Sequence, residues 1–384
     1  MKVLNEVKER NSCKTDFPFP LQQIYFYLTA GCNLACRHCW LSPKLQNGKN
    51  VYPMLPLEVF TSILKQAKPL GLIAAKLTGG EPLMHPHIHE ILRIIREWDL
   101  DLTIETNGVL CSSQLAEKIA LCRNPSVSVS LDGVDAKTHE DIRGIKGCFS
   151  AAVKGIHNLV NAGIRPQIIM ALMQRNKDQV KDLVRFAESL GAESVKFNIM
   201  NPSGRGEMLT EVGGALPIEE LLEMGKWVWN TLSHSTKLNL VFSLPTVFRP
   251  LSDIYGGNGT CCGTCKLRTL IGVLADGSYA LCGIGTQIPD LIFGHASKDR
   301  LGDVWKNNKI LKELRGDIFS RFEGICGNCH MKKSCVASCI AQNYYRSGSL
   351  WKSFWFCEEA YKKGLFPPSR IIPKPFSMVP DSRL

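Results

Sequence analysis

The stretch that decides the fold lies near the start of the chain, where residues 29–40 read Thr29-Ala30-Gly31-Cys32-Asn33-Leu34-Ala35-Cys36-Arg37-His38-Cys39-Trp40. Its three cysteines follow the spacing CxxxCxxC on one short loop. Because a cubane [4Fe-4S] cluster takes four thiolates, a loop that supplies three leaves one iron open to a chelating small molecule, as the open position of a catalytic metal does. Two alternatives share this spacing: a zinc loop, and a cluster completed by a distant cysteine.

A second motif, Gly79-Gly80-Glu81-Pro82, follows the apolar run from Ile73 to Thr78. This order predicts a strand, a tight turn and then a helix. Paired glycines let a backbone approach a ligand closely, and the Glu81 carboxylate can accept a hydrogen bond from an ammonium group. A cysteine loop followed by this GGEP motif resembles the radical S-adenosylmethionine (SAM) family.

The resemblance implies a SAM site at the cysteine loop. Cys32, Cys36 and Cys39 would hold a [4Fe-4S] cluster whose open iron is chelated by the amino and carboxylate groups of SAM. An electron from the cluster would cleave SAM to methionine and a 5′-deoxyadenosyl radical, which abstracts a hydrogen atom from the substrate. His38 stands where the family usually has an aromatic residue. The residues of the second motif assigned to SAM are Gly79, Gly80, Glu81 and Pro82.

The first two-thirds of the chain alternate between strand-like and helix-like segments. The predicted strands are Ile24–Leu28, Ala74–Leu77, Leu102–Glu105, Val127–Leu131, Gln167–Met173 and Ser194–Ile199. The predicted helices between them include Leu57–Ala67, His89–Trp98, Ala151–Asn161 and Asp178–Leu190. This alternation predicts an α/β fold of parallel βα units. The family resemblance narrows the prediction to a partial (βα)6 TIM-like barrel with its ligands at the C-terminal ends of the strands.

Further candidate SAM contacts lie at these predicted strand ends. Ser130 and Asp132 are suited to ribose hydroxyls or the methionyl group, and Arg143 is predicted to pair with the SAM carboxylate. Since Asn-Gly and Asp-Gly are also ordinary turn dipeptides, a purely structural role is an equal alternative. Gly204-Arg205-Gly206 either meets SAM or substrate, or simply turns the chain. The full set of candidates beyond the GGEP motif is Thr106, Asn107, Ser130, Asp132 and Arg143.

The last third of the chain carries a second group of cysteines. Their spacing, with Gly277 before Cys282 and a CxxC pair at Cys326 and Cys329, resembles the SPASM domain, a C-terminal extension with two auxiliary [4Fe-4S] clusters. Zinc is the alternative, because CxxC followed by CxxxC also suits a tetrahedral ion. The resemblance assigns Cys265, Cys282 and Cys339 to the first auxiliary cluster, and Cys326, Cys329, Cys335 and Cys357 to the second.

The first auxiliary cluster lacks a fourth ligand in this assignment. Cys261 and Cys262 both lie close by in the sequence, and the choice between them stays open. If neither binds, that cluster also has an open iron, which could coordinate substrate directly, for example a peptide thiolate. The remaining cysteines show no ligand spacing and are predicted to be small buried hydrophobes; they are Cys13, Cys111, Cys122 and Cys148.

The chain of 384 residues is long enough for one large core and a second, smaller domain. The bridge that joins these two domains contains a predicted helix, Ile218–Leu232, and a predicted strand, Leu238–Leu244. The expected segments are an N-terminal arm (1–20), a radical SAM core (21–208), a bridge (209–258), a SPASM domain (259–364) and a proline-containing tail (365–384).

Composition favours a cytoplasmic protein. Sixteen cysteines, together with the lack of a signal peptide or a long apolar run, indicate thiols used for metal ligation in a reducing compartment, with no membrane segment. The net charge of +11 fits a solvated basic face, and an acidic peptide segment at least as well as nucleic acid. No nucleic-acid partner is therefore expected.

The resemblance covers nearly the whole chain and is greatest to maturases of ribosomally made peptides (RiPPs), particularly those of SynChlorMet-type cassettes. It implies a radical SAM oxidoreductase that oxidatively modifies or crosslinks a precursor peptide through a thioether or C–C bond. An electron donor such as flavodoxin or ferredoxin is expected. Because only about twenty residues precede the first strand, leader recognition is expected from the bridge, the SPASM face or a separate partner protein.

Other functions remain as alternatives. Within the SPASM enzymes these are sulfatase maturation, quinone-cofactor synthesis and modified-haem synthesis, and outside them a non-catalytic iron–sulfur protein that transfers electrons or binds a peptide. Sulfatase maturases place an aspartate directly after the cysteine that corresponds to Cys282, whereas this chain has Gly283. No acid–base residue can be identified from the sequence.

Overall fold

The computed structural model describes residues 17–42, 52–255 and 265–373, and its centre is a single sheet. Within those residues the sheet has ten strands, in the order β10-β9-β8-β1-β2-β3-β4-β5-β6-β7. The strands are β1 Gln23–Tyr27, β2 Ala74–Thr78, β3 Asp101–Thr106, β4 Arg123–Ser130, β5 Gln167–Leu172, β6 Ser194–Ile199, β7 Asn239–Phe242, β8 Leu270–Val273, β9 Ser278–Ala280 and β10 Ile292–His295.

Strands β1 to β7 all pair in parallel with their neighbours. Parallel pairing puts the C-terminal ends of these strands along one edge of the sheet, where the predicted ligands follow. The six predicted strands and the α/β class are confirmed.

Helices fill the connections between the strands. The first helix illustrates why these segments are helical. Its buried residues Phe60, Ile63, Leu64 and Ala67 recur every three or four positions and so form one apolar face. No helix in the described ranges has the length and apolar composition needed to cross a bilayer. The helices up to β7 are α1 Leu57–Ala67, α2 Ile88–Glu97, α3 Ser113–Ala120, α4 Ala136–Arg143, α5 Cys148–Asn161, α6 Val180–Ser189, α7 Arg205–Glu211 and α8 Ile218–Asn230.

The helices after β7 are short. They occupy the part of the chain that carries the second group of cysteines. They are α9 Leu251–Tyr255, α10 Leu301–Asn307, α11 Lys309–Arg315, α12 Gly324–Gly327, α13 Lys332–Cys335, α14 Ile340–Ser347 and α15 Trp355–Lys362.

The sheet extends beyond the six strands expected of the barrel. The predicted bridge strand is β7, which pairs with β6. On the other side β8 pairs in parallel with β1, and β9 and β10 continue the sheet in antiparallel fashion. Extra strands are needed there because the outer backbone groups of β1 and β6 would otherwise remain unpaired.

The chain forms two compact units. The first contains the described residues up to Ser243 together with Lys266–Gly316, and the second runs from Leu244 to Cys265 and continues from Asp317. Residues 266–316, which the motif pattern assigned to the SPASM domain, thus pack within the first unit because β8 joins its sheet at β1. The division by motif into arm, core, bridge, SPASM domain and tail stays a prediction.

Candidate active site

The cysteine loop begins where β1 ends. Leu34 and Cys36 are buried and pack with Cys148 of α5, while Cys32 and Cys39 lie at the edge of the same apolar cluster. The loop is also held by its own backbone, since Leu34 N donates to Cys32 Sγ over 3.4 Å. The structure therefore gathers the three predicted ligands of the SAM-binding cluster at the C-terminal edge of the parallel sheet.

The GGEP turn after β2 is joined directly to this loop. Gly80 N donates to Thr29 O at 2.8 Å, and Glu81 N donates to Gly31 O at 2.9 Å. A Cβ on Gly80 would lie 1.9 Å from Gly31 O, and Gly79 has a φ of +138°. The paired glycines thus permit the close approach of two backbone segments, whereas the sequence suggested approach to a ligand.

Glu81 is the hub of a buried hydrogen-bond network. The residue is 1% exposed, and its Oε1 accepts from Thr106 Oγ1 at 2.6 Å and from Leu83 N at 3.1 Å. Its Oε2 accepts from Asn107 N at 2.8 Å. Burial raises the pKa of Glu81 to about 7, against the opposing effect of these donors.

Asn107 connects β3 to the cysteine loop. Its Nδ2 donates to Asn33 Oδ1 at 2.7 Å and lies 4.0 Å from Cys32 Sγ. Asn107 Oδ1 accepts from Val109 N at 3.0 Å, so the turn after β3 is closed by the same side chain. The structure therefore brings Glu81, Thr106 and Asn107 together beside Cys32, as their position at strand ends predicts.

Asp132 and Arg143 form a buried ion pair behind the loop. Arg143 Nε lies 2.8 Å from Asp132 Oδ2, and the two side chains are 8% and 0% exposed. Arg143 Nη1 also donates to Cys36 Sγ at 3.5 Å. Asp132 Oδ1 accepts from Ala171 N at 2.9 Å. Both side chains, which the sequence assigned to SAM, therefore contact other groups of the protein in this arrangement.

Two histidines complete this network. His139 Nδ1 accepts from Asp132 N at 3.1 Å, and His38 Nε2 lies 3.8 Å from Asp132 Oδ2. Burial and the neighbouring Arg143 guanidinium, against the opposing effect of Asp132, together lower the pKa of each imidazole to about 4. Both rings are therefore neutral near pH 7.

Ser130 and the Gly204-Arg205-Gly206 segment lie at two other strand ends. Ser130 is the last residue of β4 and is paired with Ile169 of β5. Gly204 has a φ of +58°, and a Cβ there would lie 2.5 Å from Trp40 O. Arg205 N donates to Cys39 O at 3.1 Å. The segment therefore turns the chain and closes on the end of the cysteine loop, and its contact with SAM or substrate stays a prediction.

The residues of the loop fit a cluster with three protein ligands. The described residues contain no trio of His, Cys, Asp or Glu side chains close enough to share a single metal ion, so the fit rests on the donor set and its surroundings. Burial raises the pKa of Cys32 to about 12, and it also raises the pKa of Cys36 against the opposing effect of Arg143. Thiols of this kind ionise when metal binds.

The second unit contains all four thiols that are predicted for the second auxiliary cluster. Cys357 donates to Cys326, which raises the pKa of Cys357 and lowers that of Cys326. Cys329 and Cys335 lie close enough to raise the pKa of Cys357 further. Backbone amides point at two of the sulfur atoms: Phe354 N donates to Cys326 Sγ and Met331 N to Cys329 Sγ, each over 3.3 Å. Thiols grouped with amide donors fit a thiolate-ligated cluster.

The segment between Cys335 and Cys339 has an unusual backbone. Val336, Ala337 and Ser338 have φ values of 52°, 49° and 55°. Non-glycine residues in the left-handed region are strained, a β-branched valine most of all. The fold therefore maintains a costly conformation between two predicted ligands.

The first auxiliary set draws on both units. Cys282 belongs to the first unit, whereas Cys265 and Cys339 belong to the second. Cys261 and Cys262 lie outside the described residues, as does Cys13. The ligation of this cluster stays a prediction. The other cysteines without ligand spacing, Cys111, Cys122 and Cys148, are buried as predicted.

Two residues of the hydrogen-bond network around Asp132 were not predicted from the sequence. Asn176 Nδ2 donates to Asp132 O at 3.0 Å and to Ala171 O at 2.9 Å, and neither Asn176 nor His139 was among the candidates. His139 lies four residues before Arg143 and hence on the same face of α4, a spacing that could have indicated it. Asn176 follows β5 with no such signal.

Comparison with known proteins agrees with this geometry. Residues 26–187 match the Radical SAM superfamily. The AdoMet-dependent heme synthase of Methanosarcina barkeri is 27% identical over 360 residues, which cover 87% of this chain and 95% of the relative. The mycofactocin maturase MftC of Mycobacterium tuberculosis is 27% identical over 352 residues, covering 91% and 85%.

A solved structure supports the fold. Streptococcus suis SuiB, crystallised with its precursor peptide SuiA, has a TM-score of 0.67 at 19% identity, covering 93% of this chain and 79% of SuiB. The superfamily match contains the cysteine loop, the GGEP turn and the ends of β3 and β4, and the relatives extend the likeness into the cysteine-rich last third. Residues 26–187 therefore form a radical SAM domain, and the chain is a radical SAM enzyme that is similar over most of its length to the heme synthase and to MftC.

Proposed function

We propose that this enzyme oxidatively modifies or crosslinks a ribosomally made precursor peptide, forming a thioether or C–C bond. The observation that carries the proposal is the cysteine loop, held by the GGEP turn at the open edge of the parallel sheet. Two similar proteins support the peptide substrate: MftC is a mycofactocin maturase, and SuiB was crystallised with a precursor peptide.

The residues of the site have separate proposed tasks. When bound, the cluster and SAM supply a 5′-deoxyadenosyl radical by reductive cleavage of SAM. Cys32, Cys36 and Cys39 would hold that cluster, and the Glu81 network would orient the amino group of SAM. The proposed SAM contacts are Gly79, Gly80, Glu81, Pro82, Thr106, Asn107, Ser130, Asp132 and Arg143.

The cysteines of the last third are proposed to hold two auxiliary [4Fe-4S] clusters. Oxidative bond formation requires an acceptor for the electron that a substrate radical releases. Cys326, Cys329, Cys335 and Cys357 are proposed to hold such an acceptor, and each of the first three affects the pKa of Cys357. The expected electron donor is a flavodoxin or ferredoxin, and the expected compartment is the cytoplasm. Leader recognition is expected from the bridge, the SPASM face or a separate partner protein.

Modified-haem synthesis is the second candidate. The observation in its favour is the likeness to an AdoMet-dependent heme synthase over 95% of that relative. Anaerobic incubation with either the peptide encoded beside the gene or a haem precursor separates the two functions. A mass change in the peptide supports maturation, whereas turnover of the porphyrin alone would replace the proposal.

The first test concerns SAM cleavage. The reconstituted protein, with dithionite and SAM, should release 5′-deoxyadenosine, and Cys36→Ala should abolish the release because it removes a cluster ligand. Cys122→Ala is a matched control, since Cys122 is equally buried but has no predicted ligand role. If the wild-type protein held about twelve irons in three cubanes and still released no 5′-deoxyadenosine, the enzyme function would be wrong.

The second test concerns the electron acceptor. Cys335→Ala should leave SAM cleavage partly intact while blocking formation of the modified peptide, because the radical would form without an acceptor for its electron. The ratio of 5′-deoxyadenosine to product, measured by chromatography, should rise well above the wild-type ratio. Full product from Cys335→Ala with its SAM-binding cluster intact would contradict the acceptor role.

A further inference from the structure

Arg143 connects the cysteine loop to a buried carboxylate. Its guanidinium donates from Nη1 to Cys36 Sγ at 3.5 Å, and its Nε lies 2.8 Å from Asp132 Oδ2. The backbone joins the same two segments, since Ala35 N donates to Arg143 O at 2.9 Å and Arg37 N donates to Ile142 O at 3.0 Å. The end of α4 is thus fastened to the loop on both sides of Cys36.

The Arg143–Asp132 ion pair is shielded from solvent, so its charges interact strongly with neighbouring groups. Arg143 is 8% exposed and Asp132 is 0% exposed at the side chain. Charges in such surroundings interact far more strongly than charges in water, where solvent and salt screen them. Asp132 is further fixed by Ala171 N on Oδ1 and by Asn176 on its carbonyl. Asp132 is therefore held in place beside Arg143.

We propose that Arg143 and Asp132 set the reduction potential of the cluster on Cys36, with Arg143 raising the potential and Asp132 lowering it. Reduction adds negative charge to a thiolate-ligated cluster. A guanidinium that donates to a ligand sulfur stabilises the added charge, and a buried carboxylate behind it opposes that effect. The inference rests on the proposed function in one respect, namely that Cys32, Cys36 and Cys39 hold a cluster. It adds a tuning role to the SAM contacts that are proposed above for these two residues.

The two partners should therefore have opposite effects on the potential. Arg143→Gln should lower the midpoint potential of the SAM-binding cluster, because it removes the cation and leaves the carboxylate. Asp132→Asn should raise the midpoint potential, because it leaves the cation unopposed. We expect each single change to alter the reduction equilibrium at least tenfold, or about 59 mV for a one-electron couple. The double variant should return toward the wild-type value.

The experiment is an anaerobic redox titration of the reconstituted full-length protein, followed by electron paramagnetic resonance. The SAM-binding cluster is identified as the signal that changes when SAM is added. Arg37→Gln is a matched control, because Arg37 is next to Cys36 and pairs with Asp141 at 2.8 Å, yet its side chain is 53% exposed. Since solvent screens that charge, the control should leave the potential near the wild-type value.

Several results would overturn the inference. A shift of both single variants in the same direction, or unchanged potentials in both at full iron content, would contradict it. Weaker SAM binding by Arg143→Gln at an unchanged potential would instead assign the guanidinium to the SAM carboxylate. If Arg143→Gln lost its cluster, Asp132→Asn would be the deciding variant, because it leaves the Arg143 contact with Cys36 in place. An upward shift of its midpoint potential supports the inference, and an unchanged midpoint potential refutes it.

Failure of the proposed function gives a different result. In that case the wild-type protein itself shows no signal that responds to SAM. The tuning inference fails only when that signal is present and the potentials do not follow the charges.

Discussion

Glu81 carries a buried carboxylate whose protonation depends on the fold. Its pKa is raised from an ordinary value of 4.5 to about 7, chiefly by burial. Because the folded state holds the proton more tightly than the unfolded chain, this group stabilises the fold fully below pH 4.5. That contribution is lost as the pH rises toward 7.

We therefore predict a specific pH dependence for Glu81→Gln. The free energy of unfolding of the wild-type protein should fall, relative to the variant, by at most about 1.4 kcal/mol per pH unit between pH 4.5 and 7. Denaturant titrations at several pH values measure the difference in slope. The amide cannot accept from both Asn107 N and Thr106, so the variant lacks one of the hydrogen bonds that the ionised carboxylate accepts. Parallel slopes for the two proteins would contradict the raised pKa.

Gly283 lies where the turn after Cys282 packs against the end of β1. It follows Cys282 and begins a short 3-10 turn, Gly283–Thr286. A Cβ at this position would lie 2.3 Å from the ring of Tyr27, the last residue of β1. Tyr27 is 6% exposed and packs with Leu274 and Ala280. The ring therefore excludes any side chain here, including the aspartate that sulfatase maturases carry after the corresponding cysteine.

We predict that Gly283→Ala destabilises the protein by about 1–3 kcal/mol, the usual effect of overpacking. Tyr27→Leu should relieve the clash, so the double variant should be more stable than the sum of the single effects by about 0.5–3 kcal/mol. Tyr27→Phe retains the ring and should give no relief. Thermal unfolding of the single and double variants measures the coupling.

Gly302→Ala is the matched control for this glycine. Gly302 lies in α10, and an added Cβ meets its nearest atom at 4.0 Å. Alanine there should be neutral or stabilising by roughly 0.5–1 kcal/mol. Additive effects of Gly283→Ala and Tyr27→Leu would show that the two elements are not coupled through this contact.

At the scale of the whole molecule, the two units should respond differently to loss of iron. The parallel sheet of the first unit has an extensive apolar core. The cysteine cluster of the second unit is instead surrounded by short helices, and Phe354 N donates to one of its sulfur atoms. Metal binding contributes folding free energy where ligands hold short elements together.

We predict that removal of iron by an anaerobic chelator accelerates amide exchange in α12 and α15, whereas β3, β4 and β5 keep their protection. Hydrogen–deuterium exchange with mass spectrometry measures both regions in one experiment. Reconstitution with iron and sulfide should restore the slow exchange. Equal acceleration of amide exchange in the sheet and in the two helices would contradict the prediction that the cluster stabilises α12 and α15 in particular.

Features that depend on residues close together in the sequence were predicted, whereas pairings between residues far apart in the sequence were not. The boundaries of α1 and β6 were predicted to the residue, because apolar spacing decides local structure wherever one face is buried. The family resemblance, carried by the cysteine loop and the GGEP motif, implied the SAM-binding cysteines, since three ligands within one loop need no partner from elsewhere in the chain. The strands β8, β9 and β10 were not predicted as part of the sheet, because short apolar runs do not reveal their pairing partner.

The sequence by itself determined the α/β class, the parallel strands and the loop of Cys32, Cys36 and Cys39. Only the tertiary structure decided what Gly80, Asp132 and Arg143 contact. Gly80 meets Gly31 across the sheet edge, and Arg143 meets a cysteine that precedes it by more than one hundred residues. Local patterns are fixed by backbone geometry within a few residues, whereas these contacts depend on how the parallel strands bring their C-terminal ends to one edge.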